Sequence, residues 1–283
     1  MRVFRTTLLL VALTLLLMFV GQALGRRRGM TMGLGFAVIM NAFAYFFSDK
    51  IALMSSGASP VTREQLPRLY AVMERLAAKA NLPLPKLYVV PEAAPNAFAT
   101  GRNPRHASVA VTQGLLELMN DDELEGVIAH ELSHVRNYDI LISSVAATLA
   151  GAVTWIAHWG PWLGGGDDDR DRGGGGTLGL LLFFLAPVAA FLLQLGLSRQ
   201  REYSADATGA RMVGNPYGLI SALQKLGAYN NRIPTTAISP STSSLCIVKP
   251  LFGGSPLATL FSTHPALADR IAALREMTIV PQR

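Results

Sequence analysis

Two histidines four residues apart, His130 and His134, with Glu131 between them, are the residues of this chain best suited to chemistry. On a helix, positions i and i+4 lie one above the other on the same face, so two imidazoles at that spacing can grip one metal ion without bending the backbone. Glu131 projects beside them, placed to take a proton from a water that the metal would acidify. This His-Glu-x-x-His order is the one used by zinc hydrolases that cut peptide bonds. A surface helix with two unrelated histidines would carry the same letters, so the pattern needs a third ligand to become a site. Catalytic zinc takes three protein ligands and keeps one position open for water.

One class of zinc proteases draws its third ligand from an extended run, H-E-x-x-H-x-x-G-x-x-H. Here Asn137 and Ile140 stand at the Gly and final His positions, which excludes that class. The remaining common set is two His and one Glu, with the Glu on a second helix. Glu202, in the run SRQREYSAD, is the candidate. Asp206 follows four residues later on the same face, where it can orient a ligating imidazole from behind. Taken alone, the pair suits the solvated face of a charged helix equally well; beside the His motif it reads as ligand and support.

These side chains need rigid elements beneath them. Asn120 is a good N-cap, and Glu123 stands three residues on, as a capping box requires. Asp121, Asp122, Glu123 and Glu125 put negative charge at the positive end of the helix dipole. Val127, Ile128, Leu132 and Val135 supply an apolar stripe, and Gly126 lets another backbone come close. Upstream, Val61–Ala80 reads as an amphipathic helix with Pro67 in its first turn, where proline is tolerated. Short β-like runs follow at Lys86–Val90, Asn96–Thr100 and Ser108–Thr112, punctuated by Pro91, Pro95, Gly101 and Pro104. Helices near Tyr217–Leu226 and Pro265–Arg275 close the domain, and Arg232–Ser255, rich in Pro, Ser and Thr, reads as a loop or lid.

Half of the 283 residues are hydrophobic and only 16% are charged, which sets the chain apart from ordinary soluble proteins. Thr6–Gly25 and Gly29–Ser48 are uncharged runs long enough to cross a bilayer as helices. Ile140–Gly166 carries only His158 apart from apolar and small residues, with Trp155, Trp159 and Trp162 toward one end as interfacial aromatics are. Gly173–Ser198 carries no charge. The first run is too long for a signal peptide and no clear cleavage site follows it, so it reads as an anchor. The expected organisation is two N-terminal transmembrane helices (1–48), a first catalytic part with the His motif (49–138), a transmembrane hairpin (139–198) and a second catalytic part with the third ligand (199–283). Each catalytic part holds half of the site, so the two must fold together, close to the membrane surface. Gly164–Gly176 is a flexible polar connector; its aspartates lack the order of an EF-hand calcium loop.

Cys246 is the only cysteine, so there is no intrachain disulfide and no cysteine cluster for a metal. The net charge of +6 is spread along the chain without a nucleic-acid motif, and contact with anionic lipid headgroups accounts for it better. Basic residues flanking the spans slightly favour a cytoplasmic catalytic domain. Arg26, Arg27 and Arg28, in the loop between the first two spans, weigh against that orientation.

NAFATG (Asn96–Gly101), HELSH, SRQREYSAD and FSTHPALADRI (Phe261–Ile271) occur in this order, with two apolar spans before the catalytic region and two within it. The chain thereby resembles the HtpX family of membrane-bound zinc metalloproteases, related to the CAAX prenyl endopeptidases, over nearly its whole length. The resemblance implies an α+β membrane protein: a minimal zincin (gluzincin-type) catalytic domain, mostly helical with a small β-sheet, plus about four transmembrane helices. It implies one Zn2+ held by His130, His134 and Glu202, with Glu131 as the base. Asn96, Ala97 and Phe98 would lie on an edge strand that holds extended substrate, and His264 would point toward the transition state. His-Pro-Ala stands here where many relatives have His-Pro-Pro. The implied role is degradation of damaged or misfolded membrane proteins as stress-linked quality control in the cell inner membrane. His264 or Tyr203 would donate to the oxyanion; His106 and His158 read as structural. A zinc hydrolase of lipid-linked amides and a non-catalytic membrane adaptor are the rival readings. The edge-strand segment weighs against the first, and an intact Glu131 against the second.

Overall fold

A computed structural model of the chain describes residues 4–149, 199–230, 245–248 and 265–277. The first helical element, α1 (Phe4–Ser55), is two helices joined at a break where Gly25 and Arg26 leave helical geometry, Arg26 with φ 53°. The halves run antiparallel: Asn41 Nδ2 donates to Leu10 O (3.2 Å) and Thr14 Oγ1 (2.9 Å) across them. The exposed Arg26, Arg27 and Arg28 thus sit at the hairpin turn. At the opposite end Ala52 and Leu53 pack with Val90 and Phe98 of the sheet. The second half runs on past the expected boundary at residue 48, because that last stretch is packed against the sheet and stays helical to Ser55.

Gly25–Ser55 is long and apolar enough to cross a membrane; Thr6–Phe19 and Asp139–Leu149 are shorter apolar helices. Of the four expected spans, then, the described residues hold one that meets the length and composition of a crossing helix. The third span is described only as far as Leu149, and the fourth lies outside the described residues, as do Trp155, Trp159, Trp162, His158 and the Gly164–Gly176 connector.

A four-stranded sheet follows in the order β1-β2-β4-β3. β1 (Ser59–Pro60) pairs antiparallel with β2 (Lys86–Val90), β2 parallel with β4 (Ala107–Thr112), and β4 antiparallel with β3 (Ala97–Gly101). α2 (Pro67–Lys79) crosses between β1 and β2. It begins six residues later than the expected Val61 start because Val61 N still donates to Leu87 O, continuing the sheet, and the helix opens on Pro67. α3 (Gln113–Leu118) is capped by Thr112.

α4 (Asp121–Asn137) carries the His motif, and its capping box forms as the sequence predicts. The Asn120 side chain accepts from Glu123 N and Glu123 Oε2 accepts from Asn120 N, both at 2.9 Å. The helix ends at Tyr138, whose φ of 62° turns the chain sharply before α5 (Asp139–Leu149) begins. The core lies around α4. Leu124, Val127, Ile128, Leu132 and Val135 are fully buried among side chains of α2, the sheet, α6 (Arg199–Val213) and α7 (Tyr217–Asn230). Burial at that level contributes about 1.5–3 kcal/mol per large aliphatic side chain. Residues from before and after the apolar insertion share this one core.

Two close approaches decide how the site is assembled. A Cβ on Gly126 would lie 2.5 Å from Leu219 N, so α7 packs on the backbone of α4 there. A Cβ on Gly209 would lie 3.0 Å from His130 N, so α6 comes up against the very turn that carries the first histidine. α8 (Leu267–Arg275) packs on α6 and α7 from outside.

Candidate metal centre

His130 and His134 project from one face of α4, and α6 lays Glu202 across from them. One ligand atom from each of the three lies within 4.8 Å of the others. The two imidazole Nε2 atoms are 3.2 Å apart. Glu202 Oε1 is 3.6 Å from His134 Nε2, and Oε2 is 3.6 Å from His130 Nε2. The three converge because the helical spacing aligns the histidines and the Gly209 approach brings α6 within side-chain reach.

Behind the histidines stand two carboxylates. Asp206 Oδ1 is 2.8 Å from His130 Nδ1, and Asp139 Oδ2 is 3.3 Å from His134 Nδ1. Each Nδ1 therefore donates backward to an anion, which leaves both Nε2 lone pairs facing each other. At 3.2 Å the two Nε2 atoms need a proton or a metal ion between them. Tetrahedral zinc with Zn–N of about 2.0–2.1 Å sets its nitrogens about 3.3 Å apart, so the donor set and its spacing fit that ion.

Glu131 is 1% exposed, and among the described residues neither carboxylate oxygen finds a partner at bonding geometry. A buried polar group in that condition points to a ligand or water beside it. Burial pushes its pKa up to about 7; the Glu202 charge adds to the rise, while His134, Arg270 and the Ala99 N–H oppose it. Burial also lowers His130, against the pull of Asp206. At His134, burial works downward but is overcome by the Asp139 hydrogen bond and the charges of Glu202, Glu131 and Asp139, which carry it up to about 9. A metal-free pocket thus holds a proton on His134 that a metal has to displace.

Two members of this cluster escape the sequence reading. Asp139 lies beyond the helix end, and only the left-handed turn at Tyr138 swings it back to His134. Arg270, 1% exposed, donates Nε to Asp206 Oδ2 (2.8 Å) and Nη2 to Asp206 Oδ1 (2.6 Å). The signal for it was a cation set among Leu267, Ile271 and Leu274 on the packed face of α8.

Asn96, Ala97 and Phe98 are on β3 or at its start, at the sheet edge as expected, and all three are buried. Residues 245–248, expected within a loop, lie along that edge and meet it at one isolated bridge. Ile247 N donates to Ala97 O (3.0 Å), Asn96 Nδ2 donates to Val248 O (2.8 Å), and Phe98 faces Cys246 in an antiparallel bridge. Burial and the Glu131 charge hold the Cys246 thiol far above its ordinary range. His264 lies outside the described residues. His106 is exposed and bonded locally to Asn103.

Comparison with known proteins agrees with this geometry. The model of "Peptidase family M48" matches residues 63–278. A "Protease HtpX homolog" of Desulfatibacillum aliphaticivorans is 54% identical over 274 residues, 95% of this chain and 88% of the relative. Another so named, from Pelotomaculum thermopropionicum, is 50% identical over 276 residues, 96% of this chain and 98% of that one. The crystal structure of S. mikatae Ste24p superposes with a TM-score of 0.53 at 20% identity. That match covers 95% of this chain and 64% of the other, and likens the fold alone. The chain belongs to peptidase family M48 and, within it, to the HtpX metalloproteases.

Proposed function

We propose that the protein is a membrane-embedded, zinc-dependent endopeptidase that cleaves misfolded or damaged membrane proteins. The observation that carries the reading is the convergence of His130, His134 and Glu202 beside the buried carboxylate of Glu131, whose oxygens have no hydrogen bond of good geometry among the described residues. His130 and His134 would hold one Zn2+ through Nε2, and Glu202 through its carboxylate. When bound, the ion supplies Lewis acidity that polarises a scissile carbonyl and acidifies water. Glu131 takes the proton of the attacking water as the C–O bond forms, then hands it to the amide nitrogen as the C–N bond breaks. Asp206 and Asp139 keep both imidazoles in the tautomer that turns Nε2 toward the ion. His264 or Tyr203 donates to the developing oxyanion.

Extended polypeptide is the substrate class that a sheet edge recognises, through main-chain hydrogen bonds that leave side-chain preference broad. Ala97 and Ala99 direct their backbone groups to the same outer side of β3, and the Ala99 N–H reaches toward Glu131. A substrate on this edge takes the place of residues 245–248. The packing of β3 against Ala52 and Leu53 of α1 and Ala147 of α5 supports a site next to the bilayer. The basic residues flanking the spans support a cytoplasmic face of the inner membrane. The test is co-reconstitution with a destabilised multispanning protein and its folded parent. Chelator-sensitive loss of the destabilised one alone is expected; equal survival of both contradicts the quality-control role.

A further inference from the structure

Arg270 is the only cation that the described structure buries completely at the metal centre, and its fork is fully engaged. Nε and Nη2 clasp both oxygens of Asp206 at 2.8 and 2.6 Å, while Nη1 donates to Ile247 O at 2.8 Å. Asp206 Oδ1 is at the same time 2.8 Å from His130 Nδ1. One carboxylate oxygen is therefore shared between the guanidinium and the imidazole, and its position is set by the stiffer partner. The guanidinium is that partner, since a planar bidentate fork fixes the plane and the distance of a carboxylate together. Nη1 also lies 3.7 Å from Glu202 Oε2, too far for a hydrogen bond but close enough to draw the carboxylate toward one side of the pocket.

We propose that Arg270 is a positioning residue for the metal site: through Asp206 it fixes the ring of His130. The inference rests on the reading of His130, His134 and Glu202 as metal ligands. Arg270 touches no reacting atom in this scheme; Nη2 also lies 3.4 Å from His130 Nδ1, but its two short bonds run to Asp206, which carries the larger share of its hold on that ring. A lysine would keep the charge but not the geometry, because an ammonium at the end of a flexible stem is a point charge without the planar fork that clasps two carboxylate oxygens.

The test measures zinc affinity by chelator competition in the detergent-purified full chain, with melting temperature as the check on folding. Arg270→Lys and Asp206→Asn are each expected to weaken zinc binding about 10–100-fold, the range for lost support behind a ligand. The double variant is expected to lose clearly less than the product of the two single losses, because Arg270 acts chiefly through Asp206. Wild-type zinc affinity in folded Arg270→Lys overturns the inference, and so do losses that multiply in the double variant. If Arg270→Lys does not fold, Asp206→Leu/Arg270→Met removes both charges and the desolvation problem with them. That pair is expected to show the same weakened zinc binding, and wild-type affinity in it overturns the proposal. Zinc uptake absent from the wild type would instead overturn the metal reading, and this inference with it.

Discussion

At the candidate metal centre both histidines are backed by carboxylates: His130 by Asp206, which Arg270 clasps in turn, and His134 by Asp139. Along the outer edge of β3, close to Glu131, the contacts are of another kind. Ala97 gives one main-chain bond to Ile247, and Asn96 meets Val248 through its amide; the one charge-assisted bond, from Arg270 Nη1 to Ile247 O, comes from behind and not from β3. Charge-assisted pairs buried in a core are costly to break singly, whereas one neutral main-chain bond contributes only about 1 kcal/mol net. The candidate ligands are held by charged neighbours, whereas β3 itself offers residues 245–248 only neutral bonds that another extended segment can match.

The largest effect that comparison predicts is at the fixed side. Glu202→Ala should leave a folded protein that no longer retains zinc through detergent purification and does not cleave; retention of one zinc per chain would remove Glu202 from the ligand set. At the exchangeable side, Phe98→Cys places a thiol directly opposite Cys246 across an antiparallel bridge, a position within disulfide reach. Oxidation of that variant should cut cleavage of an unfolded substrate by about tenfold or more, if substrate needs this edge as an added strand. Reductant should restore it. Equal cleavage in both redox states would mean that substrate binds elsewhere.

The smallest predicted effect lies outside both regions and calibrates them. Glu123, 2% exposed, accepts from Lys225 Nζ at 2.7 Å and Ser221 Oγ at 2.6 Å. Burial opposes its ionisation, but Lys225, Ser221 and the Asn120 amide outweigh it and lower its pKa. A carboxyl with a lowered folded pKa contributes stability above its ordinary range and loses it as pH falls through the folded value. Lys225→Ala should therefore cost about 1 kcal/mol at neutral pH, discounted for the partly exposed lysine. The gap between variant and wild-type melting curves should close on acidification; a gap independent of pH would show that the ion pair is not its source.

Local rules carried much of this architecture. The capping box at Asn120 and Glu123 and the i, i+4 pairs on α4 and α6 are written in adjacent residues, so helix, ligands and the Asp206 support can be read together. The strand runs could be read for the same reason, to within a residue at their ends. What could not be read depends on distant partners. The start of α2 is delayed by a bond from Val61 to Leu87 that no local pattern announces. Asp139 joins the site only because a non-glycine residue, Tyr138, adopts a left-handed turn. Residues 245–248 look like a short apolar island in a Pro, Ser and Thr-rich stretch, and their bridge to Phe98 exists only because β3 is there to pair with. Arg270 was visible as a charge on an apolar face, but its partner lies 64 residues away on another helix.

The central claim is that Glu131 moves the proton at a zinc site, and one comparison addresses it directly. Wild type and Glu131→Gln, both loaded with one zinc, are given an unfolded protein substrate with and without chelator across pH 5 to 8. The account predicts chelator-sensitive cleavage by the wild type and a loss of about 10²–10⁴-fold in the variant with zinc retained. The wild-type acid limb should fall below the value of about 7 that Glu131 has without a metal, because a nearby dication favours its ionised form. Equal cleavage by the two zinc-loaded proteins would contradict it.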